Sequence, residues 1–299
     1  MGVIITKGLS KVYGTKEAVA DLNLHVQQGS VFGFLGPNGS GKSTTVKMLL
    51  GLRAPSRGSA QVLGFDSRRE GHLIGQRVGY VPELGNLYPH LTVQASIDLV
   101  RGLRPTWDEA YARHLLNMFE LPLKQRVGRL SKGMQRQLAL LLAMAPRPEV
   151  LILDEPTSGL DPIKRQEFLQ VLMDGVADTG QTVFFSSHNM TEVERVADTV
   201  GILYNGRLAV TGALDDLKRN VKRIRVVLPN KESLQLKQPL RSIEGSNGQW
   251  IVTVEQGVDM VLAELRAMQP VVLEVYDLAL EDIFMIYAGG EGREPGAYQ

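Results

Sequence analysis

Residues 36–43 limit the possible folds of this chain more than any other stretch. They read Gly36-Pro37-Asn38-Gly39-Ser40-Gly41-Lys42-Ser43, a full match to G-x-x-x-x-G-K-[ST]. The apolar run Val31–Leu35 precedes them, and Thr44–Leu50, which reads as a helix stopped by Gly51, follows. In a strand–turn–helix of this kind the glycines let the backbone wrap so that successive N–H groups point inward, and the helix N-terminus adds its positive dipole end. Such a nest binds phosphate. Lys42 can then reach the outer two phosphates of a nucleotide, and the Ser43 hydroxyl can ligate Mg2+.

The rest of the chain reads as α/β. Strands are predicted at Val3–Ile5, Ala18–Val26, Val31–Leu35, Gln61–Leu63, Val78–Val81, Val150–Leu153, Thr182–Ser186, Val200–Leu203 and Arg207–Val210. Between Tyr88 and Ala145 the pattern turns helical, with Tyr111, Leu115, Met118 and Phe119 forming an apolar stripe at spacings of three and four. A second chemical signal is Val150-Leu151-Ile152-Leu153-Asp154-Glu155. An apolar strand ending in two acids is costly unless the acids face a site. Asp154 is placed to hold the Mg2+ shell, and Glu155 to orient or deprotonate an attacking water.

Composition removes several alternatives. With no cysteine, disulfides, thiolate metal sites and cysteine nucleophiles are excluded. A formal net charge of +1 gives no reason to expect nucleic acid as a partner. The longest apolar stretch, Leu138 to Pro146, is far shorter than the ~20 residues a spanning helix needs. Met1 to Lys16 lacks the apolar core of a secretory signal. The expected location is therefore cytoplasmic, with any membrane reached through a partner.

Further motifs carry a family resemblance. Leu130-Ser131-Lys132-Gly133-Met134-Gln135 resembles the Leu-Ser-Gly-Gly-Gln signature of ATP-binding cassette (ABC) proteins. Ser158-Gly159-Leu160-Asp161 resembles their D-loop, His188 their switch histidine and Tyr13 their adenine-stacking aromatic. These elements cover about residues 3–217 in the family's order. The resemblance implies ATP as the nucleotide, with Gly36, Pro37, Asn38, Gly39, Ser40, Gly41, Lys42, Ser43 and Thr44 as its cradle and Mg2+ held by Ser43, Asp154 and Glu83. It implies catalysis by Glu155, His188 and Lys42, with His188 at the terminal phosphate. It also implies that Ser131 and Gly133 of a second ABC subunit cover the phosphate from the other side, at a helix N-terminus, with Asp161 tying the two sites together. That second subunit is either identical or a diverged paralogue.

Three positions depart from the family pattern. Lys132 replaces its first signature glycine, and Met134 stands where it has glutamine. Lys132 is either a donor toward the partner's nucleotide or a solvated side chain, the default for lysine. Val81-Pro82-Glu83 occupies the place of the Q-loop, so Glu83 keeps an oxygen for metal or water and loses the amide donors of glutamine.

From Val221 the composition shifts. Arg223–Leu228, Trp250–Glu255 and Val271–Tyr276 read as strands, Val258–Met268 and Leu278–Ile286 as helices, and Asn230, Pro239 and Gly245-Ser246-Asn247-Gly248 as turns. The expected architecture is a P-loop NTPase of the ABC nucleotide-binding type, with a mixed-sheet core and antiparallel β and helical subdomains. A small C-terminal α+β accessory domain follows. The expected bounds are 1–219, with the helical part at about 84–145, then 220–288 and a flexible tail at 289–299. The ending Leu280-Glu281-Asp282-Ile283-Phe284 is similar to ATPase subunits of ABC-2-type exporters, including sodium and antibiotic exporters. Trp107-Asp108-Glu109-Ala110-Tyr111 is similar to the bacitracin-resistance subgroup. The resemblance implies an ATPase subunit on the inner face of the membrane, driving a separate transmembrane permease that docks on the helical block. The rival class is a non-transport ABC ATPase acting in translation, repair or regulation. A single cassette and a short interval between Lys42 and Ser131 weigh against the first two, and the presence of Glu155 and His188 weighs against a regulator without turnover.

Overall fold

The computed structural model describes residues 2–83, 87–229 and 234–288. The turn expected at Asn230 and the tail expected at 289–299 lie outside them. The chain forms two compact units, Met1–Thr211 and Gly212–Gln299.

In chain order the first unit holds β1 (Gly2–Tyr13), β2 (Lys16–Gln27), β3 (Val31–Leu35), α1 (Lys42–Leu49), β4 (Arg57–Val62), β5 (Phe65–Asp66), α2 (Gly71–Arg77) and β6 (Val78–Val81). Then come α3 (Val93–Leu103), α4 (Glu109–Met118), α5 (Lys132–Met144), β7 (Val150–Asp154), α6 (Pro162–Thr179), β8 (Thr182–Ser187), α7 (Met190–Val196), β9 (Thr199–Tyr204) and β10 (Arg207–Ala213), the last crossing into the second unit. Two sheets result. One has the order β2-β1-β4-β5 and is antiparallel. The other runs β10-β9-β3-β8-β7-β6, and its strands β9, β3, β8, β7 and β6 run parallel to one another.

The parallel strands are unbroken apolar runs because both their faces are covered; every residue of β3 and β7 is buried. One core joins α1 residues Val46, Met48 and Leu49 to Ile4, Leu22 and Val62 of the antiparallel sheet and to Phe32, Phe34, Ile152 and Phe184 of the parallel one. Phe32 and Phe184 stack with centroids 5.4 Å apart. Helix α1 is thus fixed between the sheets, and the loop that precedes it is fixed with it. No helix among the described residues is long and apolar enough to cross a membrane.

In the helical block, Tyr111, Leu115 and Phe119 are buried, whereas Met118 is 43% exposed. The buried stripe passes over Met118, the last residue of α4, and resumes at its C-cap Phe119. The Trp107–Tyr111 segment has a local structural role. Asp108 caps α4 by accepting from Tyr111 N–H at 2.9 Å and pairs with Arg147 at 2.9 Å, while the Arg147 guanidinium lies 3.5 Å from the Tyr111 ring centroid. The cap N–H, ahead of Arg147, holds the Asp108 carboxyl below its usual range.

The second unit contains α8 (Leu214–Asn220), β11 (Lys222–Val227), β12 (Ser242–Ser246), β13 (Gln249–Val254), α9 (Val258–Ala267), β14 (Val272–Asp277) and α10 (Leu280–Ala288). Its strands form an antiparallel sheet of order β12-β13-β11-β14. The inward residues Ile224, Val226, Val252 and Val254 pack on Val261 and Leu265 of α9. The division at Thr211/Gly212 precedes the shift in composition because α8 packs against α10. Gly245 and Ser246 belong to β12, so the turn is only Asn247-Gly248, with φ of 56° and 84°. Two left-handed residues match the twist of a tight hairpin.

Candidate functional site

The site is built where three parallel strands end. β8 lies between β3 and β7, with Leu35 beside Ser187 and Asp154 beside Ser186. The carboxyl ends of β3, β7 and β8 therefore deliver the phosphate loop, the Asp154-Glu155 pair and His188 to one edge, where α/β sheets place ligands.

The loop is shaped by contacts that only glycine permits. A Cβ on Gly36 would lie 2.3 Å from the Leu203 carbonyl and 2.6 Å from Ser40 Oγ, and one on Gly41, at φ 112°, would lie 2.4 Å from the Ala18 carbonyl. The first backbone bond of the following helix runs from Thr45 N–H to the Gly41 carbonyl. The N–H groups of Lys42, Ser43 and Thr44 precede it and are the free donors of a helix start. Ser40 Oγ is buried and has no hydrogen-bond partner among the described residues.

Lys42 is 5% exposed. Its ammonium donates to the Gly36 carbonyl at 2.7 Å and the Pro37 carbonyl at 3.2 Å, and pairs with Glu155 Oε1 at 3.0 Å. The second carboxylate oxygen of Glu155 lies 2.7 Å from His188 Nδ1. Glu155 itself is 5% exposed and has φ of 48°, a left-handed backbone unusual for a side-chain-bearing residue and typical of a functional constraint. Its N–H is held by the Ser186 carbonyl and Ser186 Oγ, both at 3.1 Å. Ser43 Oγ donates to Asp154 Oδ1 at 3.1 Å, and Ser186 Oγ to the same oxygen at 2.7 Å.

These groups suit a phosphate ester and a hard cation. A buried hydroxyl without a partner, free helix N–H groups and a buried ammonium provide anion donors. Ser43 and Asp154 present oxygens, the ligand type Mg2+ takes together with substrate phosphates. The Tyr80 phenol is pushed up to about 12 chiefly by burial and then by the negative charges of Asp154 and Glu83.

The structure brings Lys42, Ser43, Asp154, Glu155 and His188 together. The 36–41 loop joins them through the Gly36 and Pro37 carbonyls, whereas the side chains of Tyr13, Ser131, Asp161 and Glu83 make no hydrogen bond or ion pair with that cluster among the described residues. Tyr13 ends β1, 45% exposed, with Lys11 Nζ 5.3 Å from its ring centroid. Ser131 is exposed and caps α5, accepting from Met134 N–H at 3.1 Å. Gly133 lies against the 158–161 turn, since a Cβ there would come 3.6 Å from Leu160 Cδ2. Asp161 caps α6 through the N–H groups of Ile163 and Lys164 at 3.1 and 3.0 Å. Lys132 is exposed. The Glu83 carboxylate is also exposed, and among the described residues it makes no hydrogen bond or ion pair with Ser43 or Asp154.

Several supporting residues escape the sequence reading. Ser186 orients both acids. Glu192, 5% exposed, accepts from Thr157 Oγ1, pairs with Arg165 at 3.0 Å and accepts from Asn189 Nδ2 at 2.8 Å. It thereby locks the segment after Glu155 to the residue after His188. Arg136 reaches both Glu155 and Glu83 through their carbonyls. The pair Ser186-Ser187, closing an otherwise apolar strand, is the one local signal that could have pointed to Ser186.

The ABC transporter family profile matches residues 19–158. The chain is 35% identical over 223 residues to the bacitracin transport ATP-binding protein BcrA of Bacillus licheniformis, covering 74% of this chain and 73% of that protein. It is 28% identical over 292 residues to the ABC transporter ATP-binding protein YtrB of Bacillus subtilis (strain 168), covering 97% of this chain and all of that protein (100%). A solved ATP-binding subunit of an ABC transporter superposes with a TM-score of 0.66 at 30% identity, over 73% of this chain and 92% of that one. By its fold, its strand-end site and this kinship, the chain belongs to the family of ABC transporter ATP-binding proteins.

Proposed function

We propose that this chain hydrolyses ATP at a site completed by a second cassette subunit, and that closing and reopening of the pair drives a separate membrane permease. The carrying observation is the line of contacts from Lys42 through Glu155 to His188, at 3.0 and 2.7 Å, on the edge where the phosphate loop ends. A buried base joined to a phosphate-loop cation and to a histidine is arranged for attack of water on a terminal phosphate.

In the proposed reaction, the terminal phosphate of ATP takes over the ammonium of Lys42. Glu155, released from that ion pair, accepts a proton from the attacking water. The water oxygen bonds to phosphorus as the bond to the β-phosphate oxygen breaks, leaving ADP and phosphate. His188 remains within reach as a donor to the terminal phosphate. The 36–44 cradle binds the phosphate chain, and Tyr13 stacks on adenine. Ser43 and Asp154 would hold Mg2+, with Glu83 a candidate outer oxygen; when bound, the ion supplies neutralising charge for the phosphate oxygens. Ser131 and Gly133 of the second subunit close the site, and Asp161 links the two halves. With no spanning helix among the described residues, membrane attachment is assigned to the permease docked on the helical block, at the cytoplasmic face. A transport role is supported by the relative named for bacitracin transport, and export by the resemblance of the Leu280–Phe284 ending.

The test is co-purification with a permease of about six apolar spans. ATP turnover of the complex should exceed that of the lone chain. Absence of turnover in both preparations, or turnover without any permease association, would overturn the reading.

A further inference from the structure

Arg136 sits on α5, five residues after the cap Ser131. Its Nη1 donates to the carbonyl of Glu155 at 3.2 Å and its Nη2 to the carbonyl of Glu83 at 2.5 Å. The two bonds use the fork geometry of a guanidinium, which a lysine cannot reproduce. Glu155 is therefore gripped on both sides of its backbone, by Ser186 at the N–H and by Arg136 at the carbonyl. The grip matters because the residue is held in a left-handed conformation and its side chain has to meet both Lys42 and His188. Burial lowers the Arg136 pKa, an effect opposed by Glu83, Glu155 and Asp154.

We infer that Arg136 is a positioning residue that couples the two nucleotide sites of the proposed pair. One rigid helix carries, at its first turn, the groups that face the neighbour's phosphate and, one turn further on, the fork that sets this subunit's own base and the backbone entering the helical block at Glu83. Displacement of α5 by the neighbour's nucleotide is thereby passed to Glu155 and Glu83 together. The inference rests on the proposed ATPase reading.

The experiment uses the full chain and compares Arg136→Met and Arg136→Lys with the parent for ATP affinity, turnover at saturating ATP, the shape of the rate-against-ATP curve, and thermal unfolding. The expected result for Arg136→Met is ATP affinity within about twofold of the parent, kcat lowered at least tenfold, and a sigmoidal curve turned hyperbolic. Arg136→Lys, which keeps the charge and can serve one carbonyl, should fall between. If Arg136→Met unfolds at assay temperature, Arg136→Lys alone decides, through the same split between kcat and affinity. Parental kcat and curve shape in Arg136→Lys and in folded Arg136→Met would overturn the inference, as would parallel losses of affinity and unfolding temperature that account for all lost activity. A parent chain with no turnover either alone or with its permease would instead defeat the ATPase reading.

Discussion

Glu155→Gln is expected to bind ATP as the parent does and to lose turnover by about three orders of magnitude, within the range for removing a general base. Glutamine keeps the shape and one acceptor oxygen, so the contact with His188 and the backbone grip by Ser186 survive. It cannot take a proton from water. Because Lys42 and the loop N–H groups are untouched, the phosphate chain still binds, and the paired subunits should accumulate in their ATP-bound, closed form. Phosphate release and ATP-dependent dimerisation, measured side by side, check this result. Turnover near the parental rate would remove Glu155 from the catalytic role and with it the meaning of the 3.0 Å pair with Lys42.

Lys42→Ala is expected to damage both binding and stability. The ammonium is 5% exposed and is the cationic partner of a carboxylate that is itself buried. Its removal leaves the Glu155 carboxylate with the 2.7 Å contact to His188 Nδ1 as its remaining side-chain partner. Breaking a buried pair from one side costs about 3–5 kcal/mol when nothing compensates, and His188 should reduce this to the lower end. A decrease of several degrees in unfolding temperature follows for a domain of this size. ATP affinity should fall at least ~100-fold, since a buried charge-assisted donor to phosphate is lost. The double variant Lys42→Ala with Glu155→Gln separates the two effects: it should recover most of the lost stability, because no buried charge is stranded, and none of the lost affinity. Calorimetry and nucleotide titration on the three variants give the cycle. Equal instability of the single and double variants would contradict the ion-pair explanation.

The parts of this site legible in the sequence are those whose chemistry is local. The loop at 36–43 announces itself because glycine, lysine and serine must follow one another along a single wrapped backbone. Asp154-Glu155 is visible because two acids ending an apolar strand have no cheap structural explanation. The contact between Glu155 and His188 is different, joining residues 33 positions apart. It exists only because β8 inserts between β3 and β7, an order that crossovers set and local pattern does not encode. Ser186, Glu192 and Arg136 were hidden for the same reason, since each acts on a segment distant in the chain. Helix α6 is not among the predicted elements although its signals are local: Asp161 as cap, Pro162 at the first position, and Phe168, Leu172 and Gly175 buried at helical spacing. Gly245 reads as a turn on residue type alone, whereas the strand pairing extends through it to Ser246. Met118 shows the converse limit, being apolar and in phase yet exposed at the end of its helix.

The claim on which everything else depends is that the phosphate held by one copy's glycine loop is covered by the α5 N-terminus of another. Ser131→Asp, carried by every copy, tests it most directly. Aspartate caps a helix as well as serine does and suits the dipole, so the helix and the fold should be unharmed. It also places a negative charge where the neighbour's terminal phosphate would lie. The measurement is ATP turnover together with ATP-dependent association, on protein whose unfolding temperature and lone-subunit ATP affinity match the parent. Loss of both turnover and association is the expected result. Parental turnover and association in Ser131→Asp would mean that each copy hydrolyses ATP without the other's helix.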